Sequence, residues 1–115
     1  MHEYALVSAL LEQAEHHVRL RGASSVERLH VQIGELAGVD RALFQTAFET
    51  FRDPGPFART ELAIEDVPAR WECPRCDTAL VAGSALVCAT CRAPGRLSAG
   101  DELVLSRIEM EVPHV

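Results

Sequence analysis

The chain has 115 residues, 48% of them hydrophobic and 24% charged. This length and composition are typical of one compact globular domain, or of a small domain with a subdomain held together by cross-links. The formal net charge is −6 and no run of Lys or Arg occurs, which argues against binding to nucleic acid or to an anionic membrane. No apolar stretch approaches the roughly 20 residues that span a bilayer, and early glutamates argue against a signal peptide. We therefore expect a cytoplasmic protein, in which cysteines are metal ligands more often than disulfides.

The first predicted element is a helix between Tyr4 and Leu20, because apolar residues recur there at intervals of three and four. Its expected buried stripe consists of Leu6, Leu10, Leu11, Ala14 and Val18. Gly22 is typical of a helix end. The strand that follows has Leu29 and Ile33 on one face, with polar residues between the apolar ones.

Asp40 is a good N-cap for a second helix, expected over residues 41–52. The expected buried face of this helix comprises Leu43, Phe44, Ala47, Phe48 and Phe51. Proline and glycine end it, and a second strand runs up to Pro68. A third strand follows Gly100, and the apolar residues expected on one of its faces are Val104, Ile108, Met110 and Val112.

These elements predict an α+β fold: a small three-stranded sheet with two helices, plus an inserted four-cysteine domain resembling a zinc ribbon. We expect residues 1–68 to form the α/β domain, completed by a return strand in residues 100–115. Residues 69–99 form the expected zinc-binding domain, because they hold all four cysteines.

The cysteines form two C-x-x-C pairs, Cys73 with Cys76 and Cys88 with Cys91. Each pair directs two thiolates to one point, and Gly83 suits the tip of a hairpin that would bring the pairs together. Four thiolates in a tetrahedron are a preferred zinc site. Such a site has no open position for water or substrate, so we expect the zinc to be structural.

Other chemistry of the cysteines fits less well. Disulfides are unusual in a cytoplasmic chain, and a C-x-x-C redox motif needs only one pair, normally at the start of a helix. Iron also binds four thiolates, but zinc is favoured.

The chain opens with the residues MHEY. The amine of Met1, the backbone nitrogen of His2 and its imidazole can enclose one metal ion in fused rings, and the backbone nitrogen or carboxylate of Glu3 can complete a square. A planar, nitrogen-rich ligand set suits Ni(II) or Cu(II) better than zinc. The first N–H groups of a helix have no hydrogen-bond partner within the helix, so a metal ion can bind their nitrogen atoms without breaking the helix. By itself this motif is weak.

Other polar residues receive simpler interpretations. Glu3 and Glu35 are expected to be solvated or to face a partner, and His16 and His17 to be exposed. The sequence contains no pair of nucleophile and base and no phosphate-binding loop of the GxxxxGK[ST] type, so it predicts a protein that is not an enzyme.

Taken together, the residues resemble the HypA/HybF family of hydrogenase maturation factors. The resemblance covers the whole chain: MHEY, HVQIGELAGVD, AFETF, ELAIEDVPAR, the two cysteine pairs and GDELVLSRIEMEV. The sequence departs from the family at Ala5, where serine is common, and at the second pair, CATC, which lacks the proline of CPRC. Neither departure changes an expected ligand.

The resemblance implies a nickel metallochaperone with a nickel domain and a zinc domain. It implies that His2 binds nickel with Met1 and Glu3 around it, and that Cys73, Cys76, Cys88 and Cys91 bind zinc. It also implies delivery of Ni(II) to the large-subunit precursor of [NiFe]-hydrogenase together with a HypB-type GTPase. The alternative is a zinc-ribbon interaction module, acting in transcription or RNA metabolism, with no nickel role. A metalloenzyme ranks last, because only the terminal metal site is open.

Overall fold

The computed structural model describes residues 2–52, 55–80 and 86–113. The chain forms, in order, α1 (His2–Arg21), β1 (Ser25–Gly34), α2 (Arg41–Phe51), β2 (Glu61–Val67), β3 (Arg70–Glu72), β4 (Arg96–Ala99) and β5 (Leu103–Glu111). The predictions for Met1 and for Gly83 fall outside the described residues. The two helices and the three-stranded sheet of the predicted fold are present, and β3 and β4 form an additional two-stranded sheet.

Helix α1 begins two residues earlier than expected, at His2, and ends at Arg21 before Gly22, whose φ of +63° is typical of a residue that ends a helix. Leu10, Leu11, Ala14 and Val18 are buried as predicted. Leu6 is only half-buried, because the buried face passes through Val7, which is fully inaccessible. No helix among the described residues is both long enough and apolar enough to cross a membrane.

Helix α2 is capped as predicted: a side-chain oxygen of Asp40 accepts the backbone N–H of Leu43 at 3.0 Å. Phe44 and Phe48 are fully buried. Phe51, by contrast, is 45% exposed, which corrects the expectation that it is buried. It lies at the end of α2 and contacts the Tyr4 ring edge-on, with the ring centroids 5.6 Å apart.

The three-stranded sheet has the order β2-β1-β5, so β1 is central. Strands β1 and β2 are parallel. Arg28 contacts Glu61 and, four residues further along both strands, Gln32 contacts Glu65, so the two strands run in the same direction. Strand β5 is antiparallel to β1, because the start of β1 bonds to the end of β5, through Ser24 N–H and Glu111 O at 2.9 Å. Helix α2 provides the crossover that a parallel pair requires. The sheet is therefore mixed.

Strand β5 departs from the predicted alternation. Val104 is 37% exposed, and Val112, just beyond the end of the strand, is 43% exposed, whereas Ile108 and Met110 are half-buried. The alternation of buried and exposed residues changes in the middle of the strand, where the adjacent residues Ser106 and Arg107 are both exposed. One parity therefore cannot hold along the whole strand.

The contacts within the chain define two compact units. The helix–sheet unit comprises residues 1–32, 39–65 and 104–115, and the cysteine unit comprises residues 33–38 and 66–103. These bounds differ from the domains expected from the sequence, mainly because residues 33–38 group with the cysteines. The division into 1–68 with 100–115 and 69–99 stays a prediction.

Backbone contacts explain why the loop after β1 belongs to the cysteine unit. Gly34 N–H donates to Glu102 O, Glu35 N–H to Val67 O and Leu36 N–H to Gly100 O, at 2.7–2.8 Å. The approach requires glycine, since a Cβ on Gly34 would lie 2.3 Å from the carbonyl carbon of Gly100.

Candidate metal centres

The first C-x-x-C pair forms a tight turn closed by backbone hydrogen bonds. Asp77 N–H donates to the carbonyl of Cys73, and Cys73 N–H donates to the carbonyl of Thr78, both at 2.9 Å. Asp77 takes a φ of +56°, and aspartate tolerates this left-handed conformation better than most residues. The backbone N–H of Cys76 lies 3.3 Å from Sγ of Cys73, so the turn also orients a sulfur.

The second pair repeats the turn fifteen residues later. Arg92 N–H donates to Cys88 O and Cys88 N–H to Ala93 O, again at 2.9 Å, and Arg92 also has a positive φ, +64°. The repeat extends beyond the turns, because Leu80 N–H bonds to Trp71 O just as Gly95 N–H bonds to Leu86 O. Apart from the two cysteines, the two segments share almost no side chains, so the sequence does not reveal a repeat of this length.

The two turns bring all four sulfurs together, with every pair of Sγ atoms within 4.8 Å. The distance is 3.4 Å from Cys73 to Cys91 and 3.9 Å from Cys76 to Cys88. A tetrahedron with Zn–S bonds of about 2.3 Å places its sulfurs about 3.8 Å apart. The four thiols are free of disulfides, and their spacing fits a four-thiolate zinc site.

The electrostatics of the cluster also favour a cation. The N–H of Cys76 lowers the pKa of Cys73, and the N–H groups of Cys91 and Thr90 lower the pKa of Cys88 to about 6. The neighbouring sulfurs, that of Cys91 first, raise the pKa of Cys76 to about 12. The backbone N–H groups thus favour the thiolate forms of Cys73 and Cys88, whereas the neighbouring sulfurs disfavour the thiolate form of Cys76. A bound metal ion would supply the positive charge that offsets this repulsion.

The amino-terminal residues have two different environments. His2 is exposed and is the first residue of α1. Glu3 is only 7% exposed, which corrects the expectation that it is solvated. Its Oε2 accepts the backbone N–H of Asp40 at 2.9 Å, and this bond is the main reason why the pKa of Glu3 is lowered. Glu3 thus joins the start of α1 to the N-cap of α2, a contact between residues far apart in sequence.

The remaining residues of interest lie apart from these groups. His16 and His17 are exposed on α1, as predicted. Glu35 is exposed, but its Oε1 accepts the backbone N–H of Ala69 at 2.8 Å and so helps to hold the loop after β1. His30 is half-buried and contacts the carboxylate of Glu109 on β5.

An α+β protein with a closed cluster of four thiols and an exposed histidine at the start of its first helix has the features of a metal-handling protein. The family model described as "Hydrogenase/urease nickel incorporation, metallochaperone, hypA" matches residues 1–110.

Relatives and solved structures agree with this match. The hydrogenase maturation factors HypA of Wolinella succinogenes and Shewanella oneidensis are 38% and 37% identical to the chain, each over 96% of both chains. The solution structure of the nickel metallochaperone HypA from Helicobacter pylori is 33% identical, with a TM-score of 0.75, over 96% of this chain and 98% of that one. A second solution structure of a HypA protein has a TM-score of 0.79 and 35% identity, over 96% of each chain. The chain belongs to the HypA family of nickel-incorporation metallochaperones, which are hydrogenase maturation factors and not enzymes.

Proposed function

We propose that this chain binds Ni(II) at its amino terminus and delivers it, with a HypB-type GTPase, to the large-subunit precursor of [NiFe]-hydrogenase. The observation that carries the nickel site is the position of His2, exposed at the first residue of α1. The imidazole can reach an ion from solvent, and the first amides of the helix have no carbonyl one turn earlier to bond. The ligands are the amine of Met1, the amide and imidazole of His2 and the amide of Glu3.

The contact made by one carboxylate oxygen of Glu3 favours its backbone nitrogen over that oxygen as the nickel ligand. Its Oε2 already accepts the N–H of Asp40, so ligation by that oxygen would leave a backbone donor unsatisfied. The amide nitrogens of His2 and Glu3 carry negative charge once deprotonated, and they offset the charge of Ni(II) at a helix start that otherwise disfavours cations. Because those protons must leave, nickel affinity should rise with pH.

The four cysteines would hold Zn(II), and its role is to fold the cysteine unit. The four sulfurs lie within 4.8 Å of one another and would fill all four positions of a tetrahedral zinc ion, which leaves no open position for substrate. We propose that nickel handling belongs to residues 1–68 with 100–115 and zinc binding to residues 69–99. The nickel cargo thus occupies an exposed, terminal site from which it can be released. The resident zinc ion occupies a closed site.

The first experiment is calorimetric titration of Ni(II) into untagged, zinc-loaded protein. A copy with one additional amino-terminal residue moves the free amine away from His2, and His2→Ala removes the imidazole. Both changes should weaken nickel binding at least tenfold while zinc content is unchanged. His17→Ala is the matched control, since it removes an exposed histidine from the same helix.

Equal nickel affinity in the extended copy and the unmodified chain would exclude the amino-terminal site. The GTPase is tested separately, by titrating purified HypB-type GTPase into the chain, because the sequence carries no phosphate-binding loop of its own. Salt-dependent binding to nucleic acid without nickel binding would favour the zinc-ribbon interaction module instead.

A further inference from the structure

Helix α1 is regular up to its first described residue. It begins at His2, although the first residues of a chain are usually frayed unless other parts of the molecule hold them. Contacts outside the helix therefore order the turn that carries the proposed nickel ligands. Two adjacent side chains of this turn, Glu3 and Tyr4, make such contacts.

Glu3 contacts the beginning of α2. Its side chain is buried, and Oε2 accepts the backbone N–H of Asp40, the N-cap of α2, at 2.9 Å. Because the donor is a backbone group, moving the carboxylate away would leave that N–H without this acceptor. The hydrogen bond therefore ties the first turn of α1 to the start of α2.

Tyr4 contacts the other end of the same helix. Its ring meets the ring of Phe51, the last residue of α2, edge-on, with the centroids 5.6 Å apart and the ring planes at 83°. Edge-to-face pairs at such a distance attract each other beyond the effect of the area they bury. The contact gives Phe51 a partner at the surface, where its ring lies apart from the fully buried Phe44 and Phe48.

The first turn of α1 is thus attached to both ends of α2 by two side chains that are neighbours in sequence. Helix α2 has 11 residues and is about 16 Å long, so the two attachments lie far enough apart to fix the direction of the turn as well as its position. The supporting helix is itself fixed, because Phe44, Ala47 and Phe48 are fully buried in the core of the helix–sheet unit.

We propose that Tyr4 and Phe51 are positioning residues for Ni(II). Together with the carboxylate of Glu3, their contact holds the first turn of α1 in place before the ion arrives, and neither ring is a ligand. The proposal rests on the amino-terminal nickel site proposed above. An ordered turn loses little backbone freedom when the ion binds, and the freedom of a single residue changes affinity by about 5- to 30-fold.

The test is calorimetric titration of Ni(II) into untagged, full-length, zinc-loaded chains. Tyr4→Ala and Phe51→Ala should each weaken nickel binding by about 5- to 30-fold, because either change removes the contact between the rings. Tyr4→Phe keeps the ring and should bind nickel as the unmodified chain does. Val18→Ala is the matched control, since it shortens a buried side chain at the other end of α1 and lowers stability without touching the first turn.

Two further measurements separate positioning from a general loss of structure. In the nickel-free Tyr4→Ala chain, hydrogen exchange should become faster at the amides of residues 6–8, which bond to the carbonyls of the first turn, and stay slow in α2. The visible absorption spectrum of bound Ni(II), which reports its ligands, should change in Tyr4→Ala. It should stay the same in Tyr4→Phe and in Val18→Ala.

Unchanged nickel affinity in both Tyr4→Ala and Phe51→Ala would overturn the proposal. An equal loss of affinity in Val18→Ala would also overturn it, because nickel binding would then follow stability alone. Failure of the nickel site itself gives a different result. In that case His2→Ala and the copy with the additional amino-terminal residue retain full affinity, and both proposals are wrong.

Discussion

The helix–sheet unit and the cysteine unit are stabilised in different ways. In the helix–sheet unit, buried apolar side chains come from α1, β1 and α2, among them Val7, Leu29, Phe44 and Phe48, each fully inaccessible. In the described part of the cysteine unit, the buried apolar residues are Ile33, Cys73 and Cys88, and two of these are candidate zinc ligands. The helix–sheet unit thus has an apolar core of its own, whereas most of the buried apolar residues described in the cysteine unit are candidate metal ligands.

This difference suits the two proposed metals. A unit with its own apolar core stays folded whether or not cargo is bound, so nickel can arrive and leave without unfolding it. A unit that folds around a metal has to retain that metal. The comparison predicts that changes at the cysteines act on one unit as a whole, whereas changes in the helix–sheet unit act in proportion to the contact removed.

The largest expected effect follows removal of the proposed zinc ion. A strong chelator should unfold the cysteine unit, because structural zinc in small domains contributes an apparent 10–16 kcal/mol, on the order of the whole stability of a domain. Hydrogen exchange should become fast in residues 66–80 and 86–103 and stay slow in α1 and α2. Uniform protection before and after chelation would show that the cysteine unit has another source of stability. Cys73→Ser should give the same pattern.

A large but graded effect is expected from Phe48→Ala. Phe48 is fully buried, and the guanidinium carbon of Arg52 lies 5.3 Å from its ring centroid. Truncating such a residue costs about 3–5 kcal/mol. Urea denaturation should show this loss while the zinc content of the folded protein is unchanged. Leu20→Ala on α1, where the side chain is 69% exposed, is the control and should change stability by less than about 0.5 kcal/mol.

The helix–sheet unit shows how far the sequence predicts the structure. Helix α1, the Asp40 cap and the central strand follow from local patterns, since helical spacing and capping chemistry act within a few residues. The exposed Phe51 and the changed alternation in β5 do not follow, because they depend on which residues of other elements lie alongside. Burial of Glu3 was also missed, since its partner Asp40 is 37 residues away.

The cysteine unit was predictable in a different way. The C-x-x-C spacing predicts that four sulfurs converge, and they do. The strands β3 and β4 were not predicted, because strands of three and four residues carry too little alternation to recognise. The sequence also did not predict that residues 33–38 belong to the cysteine unit. Their position depends on a close approach of Gly34 and Gly100 that no local pattern reveals.

A moderate effect is expected at the cap of α2. Asp40→Ala removes the acceptor of the Leu43 N–H and should cost about 0.5–2 kcal/mol. Asp40→Asn keeps an oxygen in the same place and should recover most of that loss. Thermal denaturation of both variants measures the difference. If the alanine and asparagine variants are equally stable, the hydrogen bond to Leu43 does not stabilise the helix.

The smallest effect, and the most specific, is the pH dependence introduced by Glu3. Because the N–H of Asp40 lowers the pKa of Glu3 below its ordinary value of 4.5, the ionised carboxylate is favoured in the folded chain. Its contribution to stability is fully present above pH 4.5 and is lost as the pH falls through the lowered pKa. Glu3→Gln keeps an oxygen that can accept the N–H but removes the charge. The variant should therefore be slightly less stable than the unmodified chain at pH 7 and should match it in acid. Denaturation of both proteins between pH 7 and pH 3 measures this convergence, and a constant difference across that range would show that Glu3 acts through packing instead of charge.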